Sequence, residues 1–158
     1  ARRGPRVAHP WACERGATFG TLKGDGELRG CSGSLRTQRA LGEDVAVNAV
    51  AAATRDTRFV PVTADELNDV RIEVSLLSEP QFLEFTNEDD LLRQLRPGVD
   101  GVILSGGCTS ATFLPQVWEQ LPEPREFLAA LKRKAGLSAD HPATGLAIAT
   151  YTVRKWHE

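Results

Sequence analysis

The chain reads as an α+β protein with antiparallel strands, and three features of its sequence carry that reading. Two hairpins are written around glycine turns, one at Gly24-Asp25-Gly26 and one at Gly106-Gly107. Each hairpin is followed by a stretch of helical periodicity rather than by a single crossover to a parallel strand. The remaining strands alternate apolar and polar side chains, the mark of half-buried antiparallel sheet.

Residues 1–15 are arginine-rich and broken by Pro and Gly, and read as an extended arm or linker remnant; the domain proper runs 16–158. Residues 18–22 and 27–31 form the first hairpin. A helix is expected over 40–54, where Leu41, Val45, Ala49 and Ala52 recur at helical spacing and an alanine-rich end implies close packing on a sheet. The segment 56–63 reads as a loop packed by Phe59. Thr63 with Glu66 three residues on is a capping box for a short helix. Residues 70–77 alternate Val70, Ile72, Val74 and Leu76 against Arg71, Glu73, Ser75 and Leu77, so the first series is expected to face the core. Thr86 with Asp89 caps a helix that Pro97-Gly98 stops. The second hairpin occupies 101–105 and 109–113. Pro115 and Pro124 suit the first turns of two short helices, the second ending near Gly136. Residues 146–153 are a last alternating strand. The two halves echo each other, each running strand, glycine turn, strand, helix, with negligible sequence identity between them.

Composition narrows the function classes. At 158 residues, 41% hydrophobic and 25% charged, the chain can bury its own core without staples. A net charge of -2 gives no basic field for nucleic acid or anionic lipid, and no apolar run approaches the roughly 20 residues of a membrane span. There is no apolar signal segment at the start. Three widely spaced cysteines, Cys13, Cys31 and Cys108, fit neither a disulfide framework nor a zinc pattern, so a reduced, cytoplasmic protein is expected. No methionine occurs and residue 1 is alanine, so the chain reads as a processed form or part of something longer. No Walker pattern or dinucleotide fingerprint is present, and no cofactor or metal is expected.

The segment Leu28-Arg29-Gly30-Cys31-Ser32-Gly33 holds the most chemistry. On a regular strand, Arg29 and Cys31 project to one face with only glycine between them. A neighbouring cation favours thiolate, and Gly30 and Gly33 let backbone or ligand approach closely. Arg29 is a candidate anion clamp, because its fork matches carboxylate or phosphate; its bland reading is a surface ion pair. Cys31 is a candidate nucleophile, although no histidine lies nearby in sequence to serve as base, and its bland reading is a small hydrophobe. Asp56 and Arg58, after the helix, pair with each other or with Arg29; they either lock the loop or rim the site. Glu73 and Ser75 face Arg29 and Cys31 if their strand neighbours the hairpin. Lys132, Arg133 and Lys134 form a basic run at a helix end, where cations are favourable.

Several of these motifs, in this order, resemble the AMMECR-type domain family, also called AmmeMemoRadiSam system protein A. The match rests on TLKGDGE followed by LRGCSG, then ALGEDVAVNAVAAATRDTRF-VPVTADEL, IEVSLLS, LLRQLRPGVDGVILS, ATFLPQVWEQLPEPREFLAALKRKAGL and YTVRKW. It covers roughly residues 16–156. Ser32 stands where the family usually has an aliphatic residue, Gly20 where it has a β-branched one, and residues 1–15 do not resemble the helix that normally precedes the domain. The resemblance implies two interlocked α+β subdomains with related strand-helix-strand repeats. It implies no reaction. It implies a setting beside a Memo-type protein and a radical S-adenosylmethionine enzyme.

The leading expectation is therefore an enzyme or enzyme accessory acting on a small anionic substrate in that pathway. Cys31 would supply the thiol, and Arg29, Gly30, Gly33, Asp56, Arg58 and Glu73 would bind substrate. The alternative is a non-catalytic interaction domain that uses the signature strand as its interface. A cleft beside Arg29 and Cys31 favours the first, and exposed apolar side chains beside that strand favour the second.

Overall fold

Strand β1 (Arg15–Gly24) is the axis of the first of two units, with β2 (Glu27–Gly33) on one side and β4 (Val70–Leu77) on the other, both antiparallel to it. The computed structural model describes residues 9–158. The first unit takes in the chain up to Ser78 and the returning tail Arg154–Glu158; the second is Glu79–Val153.

The first sheet runs in the order β2-β1-β4-β9, where β9 is Val153–His157, and β3 (Arg39–Ala40) pairs with the start of β1. Helix α1 (Leu41–Thr54) lies on β1 and β2 and can do so because the strands beneath it are small-residued. A Cβ added at Gly30 would sit 2.1 Å from the Ala52 carbonyl oxygen, so the helix backbone itself fills that space.

What locks α1 to the sheet is a buried carboxylate that periodicity alone does not reveal. Asp44, fully buried, accepts the backbone N–H of Thr18 at 2.8 Å, the Thr18 hydroxyl at 2.7 Å, the Ser34 hydroxyl at 2.9 Å and the Asn48 amide at 3.0 Å. Arg39 approaches it to 3.4 Å. The β1–β2 pairing begins only at Phe19↔Gly33, so the Asp44 carboxylate stands in where the Thr18 N–H has no ladder partner on that side. Asn48 completes the set by donating to the Thr18 carbonyl at 2.9 Å. The inward face of α1 is thus Leu41, Asp44, Asn48, Ala51 and Ala52, not the wholly apolar stripe expected.

Several expectations are corrected here. The described part of the expected arm is built: Pro10–Cys13 is a 3-10 turn, and the Leu41 N–H donates to the Glu14 carbonyl; residues 1–8 lie outside the described residues. In β4 the buried side chains are Ser75 and Leu77, whereas Ile72, Val74 and Leu76 are only partly buried, because α1 covers β1 and β2 and stops short of β4. The expected strand over 146–153 is broken at Thr152 into β8 (Ala147–Tyr151) and β9, which belong to different sheets.

The second unit has a four-stranded sheet in the order β5-β8-β6-β7, with β5 (Gln81–Phe82), β6 (Gly101–Gly106) and β7 (Thr109–Phe113). Its core gathers Leu91 and Leu95, from helix α2 (Glu88–Gln94) and its end, with Val102, Leu104, Ile148 and the apolar face of helix α3 (Pro124–Lys134). Trp118 stacks on Phe127 at 3.8 Å between ring centroids, and its indole N–H donates to the Asp100 carbonyl at 2.7 Å. The α2 cap is Asn87, one residue past the expected Thr86; its side chain accepts the Asp90 N–H, while Asp90 accepts the Thr86 N–H. Lys132 is no part of a solvated basic run: it is 1% exposed and bound to Glu88 at 2.5 Å.

The expected echo is real at the level of topology. The order β2-β1-β4 in one sheet matches β7-β6-β8 in the other: a hairpin whose first strand also takes the strand that follows the helices. The fold is α+β with antiparallel sheets.

Asp44→Ala leaves the Thr18 N–H and hydroxyl without their acceptor inside the unit, and is expected to lower unfolding free energy by at least about 3 kcal/mol. Asp44→Asn keeps one acceptor oxygen and should lose less; urea unfolding of the two variants checks the order.

Candidate functional site

The signature strand follows a tight turn in which Asp25 and Gly26 both have positive φ, 52° and 80°, a backbone that glycine and aspartate tolerate. Beyond the turn the hairpin register slips. Lys23 faces Leu28 and Leu22 faces Gly30, which leaves Arg29 as the extra residue of a β-bulge. The regular alternation that would place Arg29 beside Cys31 is interrupted at this point.

Arg29 instead turns onto the loop after α1. Its Nε donates to Glu66 Oε1 at 3.0 Å, Nη2 to Glu66 Oε2 at 3.2 Å, and Nη1 to the Val60 carbonyl at 2.8 Å. With its side chain 16% exposed, this guanidinium is a clamp on the loop, and its fork is already filled. Glu66 is the shared acceptor: it also takes the Thr63 N–H at 2.8 Å and the Thr63 hydroxyl at 3.1 Å, as the capping box predicts. The Arg29 hydrogen bonds, followed by the Thr63 N–H, hold the Glu66 carboxyl at about 2.

Asp56 and Arg58 pair with each other, not with Arg29. Arg58 donates from Nε to Asp56 Oδ1 at 3.0 Å and from Nη2 to Oδ2 at 2.7 Å, and its own N–H reaches Oδ1 at 3.1 Å. Asp56 Oδ2 also accepts the Cys31 N–H at 3.0 Å, so the loop caps the outer edge of β2. Arg58, above all, and the Cys31 N–H hold Asp56 far below the usual carboxylate range. The same pair raises Arg58, and Cys31 lies within its electrostatic reach. The cation that Asp56 brings to the Cys31 backbone is Arg58, whose side chain is 58% exposed.

Cys31 lies opposite Thr21, and Thr21 lies opposite Glu73, so the three form one row across β2, β1 and β4. The thiol is 3.5 Å from the Thr21 hydroxyl. Burial pushes the Glu73 carboxyl up, but Lys23 at 3.2 Å and Lys155 at 3.7 Å outweigh it and leave Glu73 below its ordinary value. The expectation that the Glu73 strand neighbours the hairpin holds, with Thr21 between Glu73 and Cys31.

The two glycines have packing reasons. Gly30 meets the Ala52 carbonyl, and a Cβ at Gly33 would fall 2.2 Å from the Phe19 ring. Sequence reasoning missed Thr21 and the clamp role of Glu66. The capping box made Glu66 visible, but nothing in its spacing shows that a bulged arginine 37 positions away shares its carboxylate. Cys13 and Cys108 are exposed free thiols, and among the described residues no group of three His, Cys, Asp or Glu side chains is placed to hold a metal.

An α+β chain with a bulged arginine clamp and two topologically matched sheets is the class these observations define. The chain belongs to the AMMECR1 family, whose sequence model matches residues 2–156. It is similar to a protein of Methanothermobacter thermautotrophicus, 39% identical over 128 residues, which is 80% of this chain and 67% of that one. It is similar also to protein MJ0810 of Methanocaldococcus jannaschii, 38% identical over 117 residues, covering 73% of this chain and 58% of the other. The crystal structure of the uncharacterized protein PH0010 from Pyrococcus horikoshii superposes with a TM-score of 0.88 at 30% identity, over 99% of this chain and 80% of that one. The matches with such relatives thus span from 54% to 67% of their lengths. Among the described residues no helix is long and apolar enough to cross a membrane.

Two outcomes follow from the clamp. Because the Glu66 carboxyl titrates lower in the folded chain than the ordinary glutamate value of 4.5, its contribution is present above pH 4.5 and fades as pH falls toward about 2. Carboxyl-carbon NMR should place its midpoint near the lower value, and Arg29→Gln should move the midpoint up. Separately, Gly30→Ala is expected to destabilise by more than about 2 kcal/mol in urea, since backbone blocks the new methyl, while Gly24→Ala, whose nearest such neighbour is at 3.9 Å, should be near neutral.

Proposed function

We propose that the chain is a non-catalytic interaction domain that presents its signature hairpin and clamp loop to a protein partner. A Memo-type protein or a radical S-adenosylmethionine enzyme is the partner the family resemblance implies. The reading is carried by one observation: charges at the signature are met from within, while apolar side chains beside them stand in solvent. Arg29 is filled by Glu66 and Val60, and Asp56 by Arg58 and Cys31. Flanking that node, Leu28 is 41% exposed, Leu67 64% and Val60 76%. A filled guanidinium is a poor anion receptor, whereas a rigid loop with protruding apolar side chains suits a protein contact. The Asp56 cap on the β2 edge argues for docking through side chains, not strand addition.

A second reading, an enzyme or accessory acting on a small anionic substrate, is favoured by the surroundings of Cys31. The thiol is partly exposed, beside the Thr21 hydroxyl and within reach of the exposed Arg58. In that reading Arg58, whose pair with Asp56 uses Nε and Nη2, receives the anion at Nη1 in place of Arg29.

The two separate by experiment. Leu67→Glu and Val60→Asp should weaken a purified complex with the partner at least about tenfold without shifting the melting temperature, since both side chains are exposed. If those variants bind normally while Cys31→Ala binds yet fails to complement a deletion strain, the surface serves a substrate and the interaction reading is lost.

A further inference from the structure

A wide cleft of the first unit lies away from the signature hairpin. It encloses about 510 Å³. Its floor is Leu41, Val45, Val74 and Leu76, and the half-exposed indoles of Trp11 and Trp156 flank it. The cleft exists because α1 covers β1 and β2 but not β4 and β9, so one part of the sheet face keeps its apolar residues accessible. Thr18 and two charged residues, Glu14 and Arg154, complete the lining. The Arg154 guanidinium lies 5.3 Å from the Trp156 ring centroid, and among the described residues it has no carboxylate within ion-pairing distance. It differs in this from Arg29 and Arg58, whose forks are occupied.

We propose that this cleft binds an amphiphilic organic monoanion: an apolar body on the Leu/Val floor between the two indoles, and a single carboxylate on Arg154. The volume suits a small ligand, and an apolar bowl with one oriented donor is the usual form of such sites. Stacking on Trp156 fixes the plane of the guanidinium and leaves its N–H groups for a carboxylate. Glu14 in the same wall disfavours a second negative charge on the ligand, hence a monoanion. The proposal is independent of the signature-hairpin reading.

Octanoate, with 1-octanol as its neutral counterpart, tests it by calorimetric titration of the full chain. Octanoate should bind saturably and about tenfold tighter than octanol, the margin of one charge-assisted hydrogen bond. Arg154→Gln should erase that margin, and Arg154→Lys should keep part of it. The indole N–H signals of Trp11 and Trp156 should shift on binding, while that of Trp118, in the core of the second unit, should not. Leu67→Glu should leave octanoate binding intact, which keeps this site distinct from the partner surface. Absence of saturable binding, equal affinity for octanoate and octanol, or an unchanged octanoate affinity in Arg154→Gln would each overturn the proposal.

Discussion

A single buried carboxylate holds the first unit in its arrangement. Asp44 takes the backbone N–H and hydroxyl of Thr18, the hydroxyl of Ser34 and the amide of Asn48, so strand, strand exit and helix meet at one group. A buried carboxylate is tolerable only when its lone pairs are met, and here they are. The same bonds set the height of α1 above the sheet. That height brings the Ala52 carbonyl over Gly30 and sends the chain out of the helix at the edge of β2. The loop that carries Asp56, Arg58, Val60 and Glu66 is laid along the signature strand as a consequence.

The bulge at Arg29 then decides what that strand offers. A regular hairpin would align the guanidinium with the thiol on one face. The extra residue turns Arg29 onto Glu66 and Val60, and the loop becomes a rigid cover with its charges neutralised. Cys31 remains on the other face from the Gly30–Ala52 contact, in a row with Thr21 and Glu73, and Asp56 of the loop ties its backbone N–H to Arg58.

Local signals carried far along this chain. The glycine turns, the α1 span, the Thr63–Glu66 box and the bounds of β4 were legible, because each rests on neighbours within a few residues. The pairing of Asp56 with Arg58, two positions apart, was legible for the same reason. The Asp44–Thr18 bond spans 26 positions, the Arg29–Glu66 pair 37 and the Lys132–Glu88 pair 44, and no local pattern encodes them. Asp44 and Asn48 read as polar breaks in a helical stripe until the strand beneath them is known.

By itself the sequence determined the α+β class, the repeated hairpin-helix order, the family and the segment where unusual residues cluster, since periodicity, turn chemistry and motif order are properties of contiguous residues. Tertiary structure alone decided which face of β4 is buried, that the last strand splits between two sheets at Thr152, and that Arg29 pairs with Glu66 and the Val60 carbonyl. The reason is common to all three: which groups a side chain meets depends on register and on what covers each face, and both are set by residues far away in the chain.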